Sequence, residues 1–228
     1  MKKTEKAQIN RLLKSVAQES DLAARIEKLS ASFLGRPYVA NSLVGSFEKP
    51  EQLVTRLDGF DCVTFIETVL ALALSTNADE FQTHLIGIRY QNGEVSWAKR
   101  NHYMADWWRI NERAGLVKNL TKGKDTVTKT RELNIIAGLP TARASFRVFP
   151  KRHLSHVKNL IKTGDFVAFG SAKKNLDVFH TGILIAEGET ILLRHASRAA
   201  KKVIDQNLNE FLKPNRMSGL IILRPVIK

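Results

Sequence analysis

The chain has 228 residues, 43% of them hydrophobic and 25% charged, which is enough apolar material for one ordinary core and excludes wholesale disorder. Its 36 Lys and Arg against 22 Asp and Glu give a formal charge of +14. No run reaches the roughly 18 to 20 apolar residues of a helical membrane span, and the single cysteine excludes an internal disulfide or a cysteine-rich zinc site.

The first twenty residues are basic but lack the apolar stretch of about 7 to 15 residues that a secretory signal needs. A location in the cell envelope or periplasm is therefore expected only if an export signal precedes this start. Residues 5–34 read as helix, with Ile9, Leu12, Leu13, Val16 and then Leu22, Ile26, Leu29, Phe33 at spacings of three and four. Gly35, Arg36 and Pro37 end it, so residues 1–34 are expected to form a helical arm and 35–228 the main domain. The stretch 38–61 is loop-like. A helix then begins at Cys62, and CVTFIETVLALALS is apolar on most faces, which places it in the middle of a domain. A short helix follows over DEFQTHLIGI, and Asn92-Gly93 between β-prone runs signals a hairpin.

Residues 99–150 read as an irregular basic insert with one possible helix over 104–114. From residue 160 the chain is strand-rich: DFVAFG, VFHTGILIAEG, TILLRHAS and GLIILRPV, with turns at Gly164-Asp165 and Glu187-Gly188. Helices first and a meander of strands afterwards predict an α+β fold with an antiparallel sheet. The charge follows the same division. Residues 1–98 hold 11 basic and 12 acidic residues, 99–174 hold 17 and 5, and 175–228 hold 8 and 5. The middle third thus carries nearly all of the excess, as a wall for an anionic ligand or as a solvated surface.

Cys62 stands where the central helix starts, preceded by Gly59-Phe60-Asp61. Free backbone N–H groups and the positive end of the helix dipole favour an anion there, so the thiol is expected to be pushed toward thiolate. Taken alone, a cysteine leading an apolar helix is more often structural. His180 and His195 each interrupt a strongly apolar strand pattern, and either alone reads as a satisfied core histidine. Together, one histidine on each of two neighbouring strands and a thiol at a helix start supply nucleophile, base and orienter. A zinc site at His153-x-x-His156 lacks a third ligand at matching spacing.

The segments LGRPYVAN, FDCVTFIE, KTGDFVAF, FHTGILI and RHAS, in that order over residues 34–197, resemble the NlpC-type, papain-like cell-wall cysteine peptidase superfamily. DCVTFIETVLALAL and RNHYMADWW are similar to its N-acetylmuramoyl-L-alanine amidase-like branch. The resemblance implies a papain-like fold, with Cys62 as nucleophile, His180 as general base and His195 as the residue orienting it. It matches Tyr38 to an upstream tyrosine facing the nucleophile, and Asp61 to a residue that holds a substrate amine in relatives. Val63-Thr64 replace the usual Ser-Gly, which alters the first helical turn and its pocket. Arg100, His102 and Tyr103 are the further candidates for binding substrate, within the basic insert.

The implied activity is cleavage of an amide bond in peptidoglycan or a soluble muropeptide, with no cofactor, no metal and a monomeric chain. The favoured bond joins N-acetylmuramic acid to L-alanine, with Asp61 capping the helix. The alternatives are a γ-D-glutamyl endopeptidase on free stem peptides, an acyltransferase with the same residues, or a non-enzymatic basic polymer-binding module. No nucleic-acid-binding motif is present.

Overall fold

A computed structural model describes residues 1 and 3–227. In chain order the elements are α1 (Lys3–Ser15), α2 (Leu22–Ala31), α3 (Cys62–Ala73), α4 (Ala78–Arg89), α5 (Met104–Arg113), β1 (Val117–Asn119), β2 (Val127–Leu133), β3 (Ala142–Val148), α6 (Leu154–Val157), β4 (Phe166–Ser171), β5 (Val178–Glu187), β6 (Thr190–Ser197), β7 (Lys202–Asn207), α7 (Leu208–Leu212) and β8 (Met217–Pro225). Six strands form one antiparallel sheet in the order β1-β8-β4-β5-β6-β7, and β2 and β3 pair as a separate ribbon. The expected mixed architecture and antiparallel sheet are present.

The strands in the middle of the sheet are buried on both faces, because each face has its own cover. Along β4, Phe166 and Ala168 join the core built on α1 to α5, whereas Val167 and Phe169 join a second cluster with Leu184, Leu193 and Phe211 of α7. This two-sided burial explains why DFVAFG and GLIILRPV read as continuous apolar runs rather than alternating ones. Helix α3 is enclosed along its length, with every residue from Thr64 to Ala73 buried, packed against α2, α4, β5 and β6.

Several expectations change. The predicted helix over 5–34 is two helices, because Asp21 accepts from the Ala24 N–H and starts α2 afresh. The first 34 residues are knit into the main core through Ile9, Leu13, Val16, Ile26, Leu29 and Phe33. Arg194 of β6 clamps α2 as well, donating to the Glu27 carbonyl at 3.0 Å while pairing with Asp205 of β7 at 2.7 Å. The predicted hairpin at Asn92-Gly93 is a 3-10 turn, with Asn92 at φ 57° and Gly93 at φ 70°. Its flanks meet only through the isolated bridge Tyr90 to Arg100. Buried Tyr90 turns its hydroxyl to Glu51 at 2.7 Å, so packing against another loop overrides strand pairing. The basic insert is ordered by α5 and the β2–β3 ribbon.

Candidate active site

The start of α3 is built by its own sequence. Asp61 caps the helix: one carboxylate oxygen accepts from the N–H of Val63 (3.0 Å), the N–H of Thr64 (2.8 Å) and the Thr64 hydroxyl (3.0 Å). Its other oxygen accepts from the Ser42 hydroxyl at 2.9 Å. The departure Val63-Thr64 thus supplies a capping box, since Thr64 also accepts from the Asp61 N–H at 3.0 Å.

The upstream segment is seated beside it by backbone bonds. Tyr38 N–H donates to the Lys201 carbonyl (2.9 Å), Val39 N–H to Phe60 (2.8 Å) and Phe60 N–H to Pro37 (3.0 Å). This close approach needs Gly59, where a Cβ would lie 2.5 Å from a Val39 methyl and 3.1 Å from the Pro37 carbonyl. Cys62, half-buried, therefore opens with Tyr38 and Asp61 onto a cavity of about 840 Å³.

The histidines occupy neighbouring strands on one face. The β5–β6 register runs from Glu187 opposite Thr190 to Ile183 opposite Arg194, so the next step puts Gly182 beside His195. A Cβ on Gly182 would lie 2.9 Å from the Arg194 carbonyl and 3.0 Å from the His195 Cβ. The glycine two residues after His180 thus leaves the His195 ring room to lean diagonally across. His180 Nε2 and His195 Nδ1 lie 2.6 Å apart. Phe169 stacks on His180 at 6.2 Å, and Phe211 sits 5.4 Å from His180 and 5.5 Å from His195.

Strand alternation puts this pair on the sheet face away from the body of α3, with His180 near the start of β5. There a bulge at Phe169/Gly170 breaks the β4–β5 register, a device that re-aims side chains. The Cys62 sulfur lies against the backbone N–H of Thr181, next to His180, and Phe179, which lines the cavity, is 6.5 Å ring to ring from His180. Among the described residues no hydrogen bond joins Cys62 to His180.

Burial dominates the electrostatics. The Cys62 thiol is pushed up to about 12 by desolvation first and the Asp61 charge second, with the backbone N–H groups of Thr181, Cys62 and Val63 opposing. The expected thiolate is therefore corrected to a neutral thiol, because a dry site outweighs the helix start. His180 falls to about 3 through desolvation and then repulsion from His195. His195 falls to about 4 through desolvation, opposed by nearby Gln206 and Asp205. Its Nε2 is buried and makes no hydrogen bond of full geometry, and a looser side-chain hydrogen bond with Gln206 raises the ring's value against desolvation. The Tyr38 hydroxyl is raised by burial, then by Cys62 and Asp61, and stays protonated.

Of the other candidates, Arg100 and His102 line the cavity. Arg100 donates to Glu51 at 3.1 Å, and His102 Nε2 lies 2.7 Å from the Trp97 carbonyl oxygen. Tyr103 is buried and does not line the cavity. Its hydroxyl accepts from the N–H groups of Ile135 (3.1 Å) and Ile136 (3.3 Å), so it holds a loop whose Ile135 does.

Sequence reasoning missed Ser42, Glu67, Arg89, Phe179 and Arg198 in the lining. Glu67 carried a signal, being the one charge inside an apolar helix; the others carried none. His153 and His156 stack beside Asp125. No group of three or more His, Cys, Asp or Glu residues among the described residues could hold a metal ion.

Compared with known proteins, the chain matches the AmiA-like family model, described as N-acetylmuramoyl-L-alanine amidase-like, over residues 28–220. No curated protein matches it. A crystal structure of an N-acetylmuramoyl-L-alanine amidase from Bacteroides uniformis is 28% identical, covers 90% of this chain and 99% of its own, and superposes with a TM-score of 0.82. A Legionella pneumophila protein shares the fold at a TM-score of 0.88, with 24% identity over 98% of this chain and 95% of its own. A Bacteroides fragilis protein named provisionally as a xylanase is 27% identical over 86% and 98%, with a TM-score of 0.76.

Proposed function

The chain belongs to the N-acetylmuramoyl-L-alanine amidase-like family, and from that premise we propose that it is a cysteine hydrolase cleaving the amide between N-acetylmuramic acid and L-alanine in a peptidoglycan fragment. The observation that carries the reading is Cys62 at a capped helix start in the cavity, with its sulfur on the Thr181 N–H beside the hydrogen-bonded His180–His195 pair.

The resting site is a neutral thiol and a neutral imidazole. For His180 to accept the thiol proton on Nδ1, its own proton must sit on Nε2 and be donated to His195 Nδ1, which fixes the tautomer. His195 then carries its proton on Nε2, toward Gln206. Deprotonation accompanies attack, since neither charged form is stable beforehand. The sulfur adds to the lactyl carbonyl. The oxyanion is met by the Cys62 N–H, which the Asp61 side chain leaves unclaimed, and by the protonated Tyr38 hydroxyl. As the C–N bond breaks, His180 returns the proton to the leaving L-alanyl amine. Water then attacks the thioester, with His180 as base, and frees the thiol.

Asp61 bears on the choice of bond. Both its oxygens are engaged by the helix and by Ser42, which supports a capping role and leaves no ready partner for a free amine. Glycoside hydrolysis needs two working carboxyl groups, and the carboxylates lining the cavity, Asp61 and Glu67, are held by the helix cap and by Arg89. The basic wall, including Arg100 and Arg198, suits the free carboxylates of a stem peptide.

The test is mass analysis of products from a muropeptide with its sugar attached and from the same peptide without it. The reading expects release of the sugar acid and an intact peptide from the first and no reaction with the second. Cleavage of the sugar-free peptide alone, at the γ-D-glutamyl bond, would overturn it.

A further inference from the structure

Few large apolar side chains are exposed, and three of them gather at one rim of the cavity: Val44 (46% exposed), Phe47 (57%) and Ile135 (45%). Ile135 lines the cavity and Gly45, next to Val44, does too. Phe47 packs so closely on the Ile135 loop that a Cβ on Gly138 would lie 2.6 Å from its ring. The Phe47 ring lies 6.1 Å from Trp97, and Trp97 meets the cavity-lining His102 edge-on at 4.7 Å. The result is a continuous aromatic ledge running from the cavity outward, bordered by the Arg100 guanidinium. Asn101 in the same wall is more than nine-tenths buried and keeps its Oδ1 without a partner. Nothing in the fold needs these rings open: Phe47 contributes to no buried cluster.

We propose that this ledge is the sugar subsite, on which the pyranose ring of the muramoyl group stacks against Phe47 and Trp97 while His102, Arg100 and Asn101 meet its polar edge. The inference rests on the amidase reading above. A pyranose offers an apolar C–H face ringed by hydroxyl and acetamido groups, which matches open rings bordered by polar groups; a purely apolar side chain gains more in a closed pocket. The chemistry asks for such a site on the acyl side. When the C–N bond breaks, the peptide leaves with its amine, and the sugar stays joined to Cys62 through the lactyl thioester until water releases it. A ledge holding the sugar thus works in both half-reactions.

The experiment compares two substrates with the same scissile amide, an N-acetylmuramoyl-L-alanyl peptide and the matching D-lactoyl-L-alanyl peptide without the sugar. Phe47→Ala, at an exposed position, should lower kcat/KM at least tenfold on the first and less than twofold on the second. Equal losses on both, or none on the first, would overturn the ledge. A binding readout stands apart from turnover. Trp107 and Trp108 are buried and Trp97 is partly exposed, so titrating Cys62→Ala with N-acetylmuramic acid should give a saturable fluorescence change that Trp97→Phe abolishes and Phe47→Ala weakens. No saturable change, or one untouched by either substitution, overturns the proposal. If wild type leaves the muramoyl substrate intact while the titration saturates, the ledge stands and the amidase reading falls.

Discussion

Glu67 of α3 and Arg89 of α4 meet at 2.7 Å with each side chain 2% exposed, and His180 and His195 meet at 2.6 Å on neighbouring strands. The first pair is saturated. Glu67 also accepts from the Trp107 indole N–H at 3.2 Å, and Arg89 donates to the Val54 carbonyl at 2.8 Å, so one ion pair ties three helices and a loop together. The second pair is left open: His180 commits only Nε2 to His195, and among the described residues no hydrogen bond engages its Nδ1. Buried polar groups normally find partners because an orphan costs about 1 to 3 kcal/mol. A network that spends every donor is structural, and one that keeps a nitrogen in reserve can move a proton.

The contrast can be broken from either side. Cys62→Ala and His180→Ala should each lower kcat by roughly a thousandfold or more while far-UV circular dichroism stays native; a Cys62→Ala enzyme keeping more than about a tenth of wild-type kcat would sink the nucleophile. Arg89→Ala should cost about 3 to 5 kcal/mol of stability in urea denaturation, because it strands the Glu67 charge in the core. Exchanging both partners for Met and Leu should restore much of that loss. His195→Ala, which removes the proposed orienter, should lower kcat by about a hundredfold, less than His180→Ala, with His195→Gln recovering part.

The smallest effect is one of slope. His180 and His195 sit at about 3 and about 4 in the fold against an ordinary value near 6.5, so the unfolded chain binds the extra protons first. The stability these neutral rings contribute is full above pH ~6.5 and is lost as pH falls toward the folded values. Unfolding free energy should therefore drop between about pH 6.5 and 4, and His195→Phe should flatten the drop. An unchanged slope in that variant would show that other groups govern it.

What the sequence displays follows from what each residue must satisfy locally. Cys62 is legible because an acidic cap followed by a solid apolar run can only start a buried helix. The histidine pair is legible because strand alternation carries both rings to one face. The edge strand β7 is hidden because KVIDQN buries only Val203, and α7 is hidden because five residues are too few to show a period. Their contribution, Phe211 over the histidines and Asp205 on Arg194, appears only in three dimensions. The thiolate expectation fails for a related reason: a helix start is a local feature, whereas the dryness that outweighs it is made by strands more than a hundred residues away. Arg89 offers no signal of its own, yet Glu67 inside α3 demands some cation.

The raised thiol has a consequence for durability. Peroxides and disulfides attack the thiolate, and a sulfur held at about 12 is almost wholly protonated at neutral pH. Cys62 lines an open cavity, within reach of a small oxidant. What shields it is its proton, which in the proposed mechanism leaves only when a bound acyl group is in place to receive the sulfur. A protonated Cys62 thus persists through oxidative exposure without a second cysteine to rescue it from sulfenic acid.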